Sequence, residues 1–401
     1  MHKGLRITII AAIGMFLSML DTGIIGIAVN DIAESFDSNT SIGALTVTSY
    51  SLMLCGTILI FGKLSSIHGT IKLFNFGMLL FLISSLLCSL SWSIWGLISF
   101  RALQGVAAAM IQSTAMTLIA QYIKNDTSRT KSIATVITFA SMGPILAPVA
   151  GGMILNYLSW EWLFYINIPF CVVSLMLSSS VKIEKSVALS QSYYQIFLYS
   201  LSIVSLISGM MLSIEKVALP MVILAFILLI RSELSDKNNG VLLNKHVVSN
   251  EFYVSVIGSL FLGCSTSFMF IVSPLRLMAS NDILFISVLS MILPVFTVFT
   301  SKISSIFITK IGYKNICFIG AFLMLIGVIG LSRNNYTVTY AIISLSSFGI
   351  GCGLFQPSNT VMLFKATDRS YHGMANSLSR LFVNMGIAVG SSLIAMYYVS
   401  N

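Results

Sequence analysis

The sequence predicts an all-α polytopic membrane protein: two helical bundles, an extra central hairpin, and about 13 transmembrane helices. Three observations predict it. Of 401 residues, 56% are hydrophobic and only 9% charged, whereas a soluble domain carries roughly a quarter charged residues. The mean hydropathy is +0.94. The apolar residues fall into blocks of about 20, the length an α-helix needs to cross a bilayer. Lipid offers no partner to a backbone N–H or C=O, so each block must satisfy its own as a helix.

Taken in order, the blocks lie near 7–29, 42–62, 72–90, 94–118, 132–155 and 162–181. After a polar stretch, Lys182 to Ser192, come 193–213 and the shorter 217–231. A second polar stretch, Arg231 to Glu251, precedes 252–273, 283–304, 313–331, 337–362 and 376–398. The first block follows Lys3 and Arg6 as a signal peptide would. It is long for one, contains Asp21 and ends at no small-x-small cleavage site, so it is expected to be retained. This order predicts an N-terminal six-helix bundle over 1–181, linkers and a two-helix hairpin over 182–250, and a C-terminal bundle of about five helices over 251–401.

Charge sets the orientation. With the amino terminus in the cytoplasm, all but five of the 22 Lys and Arg residues fall on that side. Lys216, Arg276 and Arg333 lie opposite, and Arg101 and Arg380 lie within helices. This asymmetry follows the positive-inside rule. The net charge of +9 is therefore a topological signal and not a nucleic-acid-binding face, which would need clustered basic runs. The lipid bilayer is the predicted partner.

The six cysteines sit inside apolar blocks without a CxxC pair or a Cys/His cluster, so they read as reduced packing residues, with no metal and no cofactor expected. No nucleophile–base set is apparent, which argues against an enzyme. No filter-like repeat suggests a channel.

Ionisable residues inside the membrane mark ion or substrate paths by default. Asp21, near the middle of the first block, costs about 2.5–3.5 kcal/mol on insertion scales; a carboxyl group there can gain and lose a proton within the physiological range. Arg101, about eight residues into the fourth block, is a permanent positive charge. Beside Asp21 it would hold the carboxylate ionised, and moving away would release it to a proton; alternatively Arg101 snorkels or pins loops. The four histidines all map to the cytoplasmic side, so no histidine relay crosses the bilayer. Asp21 is the leading proton carrier.

In the fifth block, Gly143, Ala147 and Gly151 recur every fourth residue as one small-residue stripe, with Pro144 and Pro148 beside it and Gly152 following. Such a helix can pack closely and still rock against its neighbour. Tyr50, Gln104, Gln112, Asn359 and Asn384 either line a cavity or satisfy neighbouring helices. Arg380, near the cytoplasmic start of the last block, either snorkels or joins them. The loop from Gly62 through Gly69 to Lys72 has a faint echo in Ser305 to Lys314, as expected for two related bundles around a central cavity.

These residues resemble the major facilitator superfamily, specifically its 14-helix drug/proton antiporter branch. Leu20-Asp-Thr with Ala28-Val-Asn is similar to that branch's first-helix signature. Leu97 to Ala109, Gly143 to Gly152 with Ser159 to Pro169, and the later Gly349 to Pro357, Gly373-Met-Ala and Arg380, Gly386 and Gly390 resemble its other motifs. The resemblance implies alternating access with proton influx driving export of small amphiphilic compounds, drugs or endogenous metabolites. The site residues it implies are Asp21 and Arg101 for coupling, the 143–152 segment for gating, and Gly62 and Gly69 for the loop motif. It also implies a monomer in a bacterial cytoplasmic membrane. Departures are Ser66 and Ile67 where the loop motif has an acid and a base, Ala147 for a glycine, and Glu161 for an arginine between two tryptophans. Asn401 follows directly on what resembles the thirteenth helix, leaving the family's last helix without a counterpart. A non-transporting or truncated relative, acting as a sensor or inactive, is the alternative expectation. With no second membrane acid beside Asp21, neutral or anionic substrates fit at least as well as dications.

Overall fold

The computed structural model describes residues 3–179, 249–278, 291–331 and 337–399, with isolated positions between 181 and 228 and at 289. Among these residues the secondary structure is helical and no strand occurs. The expected hairpin at 193–231, its two linkers and the start of the 283–304 block lie outside the described residues.

The first bundle contains α1 (Lys3–Ile27), α2 (Val29–Ser35), α3 (Thr40–His68), α4 (Thr70–Ser89), α5 (Ile94–Tyr122), α6 (Asp126–Tyr157), α7 (Trp162–Tyr165) and α8 (Asn167–Ser178). The second contains α9 (Asn250–Met278), α10 (Ile292–Ile311), α11 (Tyr313–Leu331), α12 (Val338–Lys365) and α13 (His372–Val399). Nine helices among the described residues are long and apolar enough to span a membrane. The sixth block is assigned to α7 and α8, which join at Ile166 with helical dihedrals, φ −57° and ψ −26°, as one apolar helix over Trp162–Ser178. Polar side chains start several helices: Asn39 accepts from the Ile42 amide at 2.9 Å, Ser93 from Gly96 at 3.1 Å and Asn125 from Ser128 at 2.9 Å. Each satisfies one amide that the first helical turn leaves without a backbone partner.

The two bundles repeat one packing scheme. In the first, α1 packs on α6, and α3 and α4 pack on α5; in the second, α9 packs on α13, and α10 and α11 pack on α12. The weak loop echo also has a shared geometry. Gly69 joins α3 to α4 and Gly312 joins α10 to α11, both at φ +95°. A side chain is strained in that region and glycine is not, so each glycine lets two long helices meet in one tight turn.

Between bundles, α6 packs on α10 and α3 on α13. The contact is tight at the lysine-rich end, hereafter the basic end, where α1 and α13 begin and α3 ends. A Cβ on Gly62 would stand 2.8 Å from the Ser377 Cβ and 3.1 Å from the Gly373 carbonyl oxygen. Asn376 Nδ2 on α13 donates to the Gln112 and Ser113 carbonyls of α5, both at 2.9 Å. Thr138 on α6 and Ser301 on α10 share a hydroxyl hydrogen bond of 2.7 Å. These are contacts of small residues and neutral hydrogen bonds. Ser66 is buried in this seam, where the family's loop motif has a charge.

Candidate functional site

The site is built on α1, α3, α4, α5 and α8 of the first bundle. Asp21 lies in the last third of α1, farther from the basic end than the block 7–29 implied. Arg101 lies in the first third of α5, which runs the opposite way, so the two side chains meet at the same depth. Arg101 Nη1 is 2.6 Å from Asp21 Oδ2, and both side chains have no exposure.

The other carboxylate oxygen and two of the guanidinium nitrogens meet further polar groups. Gln104 Nε2 donates to Asp21 Oδ1 at 3.2 Å, and Asn167 Nδ2 on α8 donates to the same oxygen at 3.0 Å. Arg101 Nε donates to the Thr46 carbonyl at 3.2 Å, and Nη1 also donates to Gln104 Oε1 at 2.6 Å. Gln104 Nε2 reaches Ser85 of α4 at 2.9 Å. The guanidinium carbon stands 4.4 Å from the centre of the Tyr50 ring and 5.8 Å from that of Phe164. A cation over an aromatic face is held by the ring's quadrupole, most strongly where water is absent. Arg101 Nη2 is buried without a partner.

A second polar set adjoins the first. The Tyr50 hydroxyl is 3.3 Å from Ser18 Oγ, to which Gln112 Nε2 donates at 2.8 Å. A polar chain thus runs from Gln112 through Ser18 and Tyr50 to the Arg101–Asp21 pair, entirely through side chains at most 2% exposed. This arrangement holds the Asp21 carboxyl group between α1, α5 and α8, and separation of α1 from α5 would free it.

The small-residue stripe lies directly behind Asp21. A Cβ on Gly143 would be 2.8 Å from the Leu20 amide nitrogen, and one on Gly23 would be 2.8 Å from the Ala147 Cβ. Gly151 faces Ile24. The stripe of α6 is therefore seated on the segment of α1 that carries Asp21. Gly152 is exposed and meets nothing within 4 Å, so it stands outside this contact. Pro144 and Pro148 lie within the continuous span of α6.

The other candidates separate by depth. Tyr50, Gln104, Gln112 and Asn359 are buried in helix–helix contacts and do not face open space. Asn359 ties α12 to α9, donating to the Ser255 carbonyl at 3.0 Å and to Ser259 Oγ at 3.1 Å. Arg380 and Asn384 are only half-buried. Asn167, Ser85, Thr46 and Ser18 complete the site and were not singled out by sequence. Asn167 carried the clearest signal, an amide in an apolar run just before Pro169. Serines and threonines gave none, being common in membrane helices as local backbone-bonding residues.

The family model described as Major Facilitator Superfamily matches residues 11–391. This chain belongs to that superfamily. Among its curated relatives, this facilitator is 26% identical over 98% of its length to the riboflavin transporter RibZ of Clostridioides difficile, of which it covers 88%. It is 31% identical to multidrug resistance protein 3 of Bacillus subtilis over 41% of its own length and 31% of that protein's. It is likewise 31% identical to the probable multidrug resistance protein EmrY of Escherichia coli, over 43% of its own length and 33% of that protein's. The chain thus spans about a third of these two multidrug relatives. Among solved structures, the proton:xylose symporter XylE superposes with a TM-score of 0.73 at 14% identity, covering 98% of this chain and 88% of that one. The human organic anion transporter MFSD10 does so with a TM-score of 0.68 at 13% identity, covering 99% and 94%. At such identities the likeness shows a shared fold. The protein is a multi-pass membrane transporter and not an enzyme.

Proposed function

We propose that this facilitator exports small amphiphilic compounds, drugs or the cell's own metabolites, by alternating access coupled to proton influx. Its place on this reading is the cytoplasmic membrane of a bacterium. The observation that carries it is the Arg101–Asp21 pair at 2.6 Å with no exposure on either side. A buried ion pair is poor value as a stabilising device, because desolvation offsets most of its attraction. As a switch it has a use. While Arg101 stays in place the acid is ionised; when α6 rocks against α1 and the pair separates, the carboxylate must take a proton or remain unpaired in lipid. The Gly143–Ala147–Gly151 stripe, seated on the Asp21 segment of α1, supplies the sliding surface.

The closed seam at the basic end supports the same reading. α3 and α5 are both joined to α13 there; on the orientation expected from the charge asymmetry, such a seam shuts the cytoplasmic path. Bacterial relatives named for multidrug resistance and for riboflavin transport favour small aromatic or amphiphilic cargo.

The test is flux in proteoliposomes with an imposed pH gradient. The reading expects substrate-dependent proton movement by the unmodified protein and none by Asp21→Asn. Gradient-driven flux that survives the amide removes Asp21 from the mechanism.

A further inference from the structure

Helix α13 presents two faces. Ser379, Gly386 and Gly390 face α9: Ser379 shares a 2.7 Å hydroxyl hydrogen bond with Ser259, a Cβ on Gly386 would be 2.9 Å from the Gly263 Cα, and one on Gly390 would be 2.9 Å from the Cys264 carbonyl oxygen. The other face carries Asn376, Arg380 and Asn384, four residues apart and so one above another on a helix. Asn376 is the residue that closes on α5. One turn farther from the basic end, Arg380 lies deep among protein atoms yet keeps accessible surface, as a group lining an internal cleft does. It makes no hydrogen bond, ion pair or ring contact among the described residues. One turn beyond, the Asn384 side chain is enclosed against the Cys55 thiol of α3.

Arg380 therefore sits between two contacts with the first bundle, with nothing among the described residues to accept from it. Nor is a carboxylate at hand in the first bundle's site, since Asp21 is held by Arg101. A lone guanidinium within the membrane is costly and draws a counter-charge. Its planar fork matches a carboxylate in two parallel hydrogen bonds.

We propose that Arg380 forms the head-group subsite of the cargo cleft, and that the preferred cargo is an amphiphile bearing a carboxylate. The proposal rests on the transport reading above for its cargo path, but binding without a gradient tests it alone. Arg380 takes the carboxylate in two parallel hydrogen bonds, and the apolar body lies along the bundle seam. The arrangement disfavours lipophilic cations, which would meet an unshielded like charge.

The experiment is equilibrium binding to the purified full-length protein in lipid nanodiscs. The probes are three molecules of one shape and different head charge: 1-pyrenebutyrate, 1-pyrenebutanol and 1-pyrenebutylamine. The unmodified protein should bind the butyrate about tenfold more tightly than the alcohol, the weight of a hydrogen bond to a charged group, and the amine most weakly. Arg380→Gln should erase that order, and Arg380→Lys should keep part of it. Asp21→Asn should retain the order while losing gradient-driven flux, which separates this subsite from the coupling step. Equal binding of all three probes, no binding of the butyrate, or an unchanged order in a folded Arg380→Gln protein overturns the proposal. Should the variants fail to fold, the order shown by the unmodified protein still decides.

Discussion

Asp21 and Arg101, eighty positions apart in the chain, meet at 2.6 Å in the driest part of the first bundle. The guanidinium is held from three directions at once: by the carboxylate, by the Thr46 carbonyl and by the Tyr50 ring. The carboxylate in turn accepts from Gln104 and Asn167. Movement of either partner breaks several contacts together, so the pair behaves as a unit with two states.

Removing only one charge should therefore destabilise the bundle more than removing both. Asp21→Asn leaves a buried guanidinium without its counter-ion, and breaking a buried pair in this way costs about 3–5 kcal/mol. The double variant Asp21→Asn/Arg101→Gln should melt above either single variant in detergent and still carry no gradient-driven flux. A double variant no more stable than the singles would show that the pair does not act as a unit.

Arg101→Lys tests geometry at constant charge. An ammonium cannot reach the carboxylate and the Thr46 carbonyl from one plane, nor stack on Tyr50 as a guanidinium does. Loss of one hydrogen bond to a charged group is worth about 1.5–3 kcal/mol, so a clearly lowered melting temperature and slowed flux are expected. Unmodified behaviour would mean that charge alone suffices there.

The glycines of α6 offer a matched comparison. Gly143→Ala adds a methyl that would meet the Leu20 amide nitrogen at 2.8 Å, whereas Gly152→Ala adds one to open space. Overpacking costs about 1–3 kcal/mol, and an alanine in an unobstructed helix position is favourable by up to about 1 kcal/mol. Thermal melts should fall for the first and hold or rise for the second, with flux reduced only in the first. Equal effects would remove the stripe from the proposed gating.

Enlarging Gly62 should open the seam at the basic end. Gly62→Leu puts a side chain where Ser377 and Gly373 now sit, which separates α3 from α13 and favours the conformation open on that side. Spin labels at the exposed positions His68 and Asp368, with the native cysteines replaced, should report a longer distance by electron–electron resonance. An unchanged distance distribution would show that the seam closes elsewhere.

The helices could be read from hydropathy because lipid demands an unbroken apolar helix at each crossing, a requirement local to the block. The α6 stripe was legible for a similar reason: residues four apart share a face of any helix, and Gly143, Ala147 and Gly151 do sit together on α1. The loop echo was legible at Gly69 and Gly312, where a positive φ admits glycine. By contrast, Tyr50, Gln104 and Gln112 stood as possible cavity residues, and they are buried among helices beside Asp21. Asn167 escaped notice although it accounts for a direct hydrogen bond to the carboxylate. A polar side chain in an apolar block shows that something must satisfy it, without showing which neighbour does.

What the sequence determined alone was the solvent of the chain, the helices at most of its apolar blocks, and the presence of one acid and two arginines within those blocks. Those follow from the cost of exposing polar groups to lipid, residue by residue. Only the tertiary structure decided that Arg101 pairs with Asp21 while Arg380 has no counter-ion among the described residues. That distinction depends on which helices adjoin and at what depth, and packing between segments distant in the chain sets both.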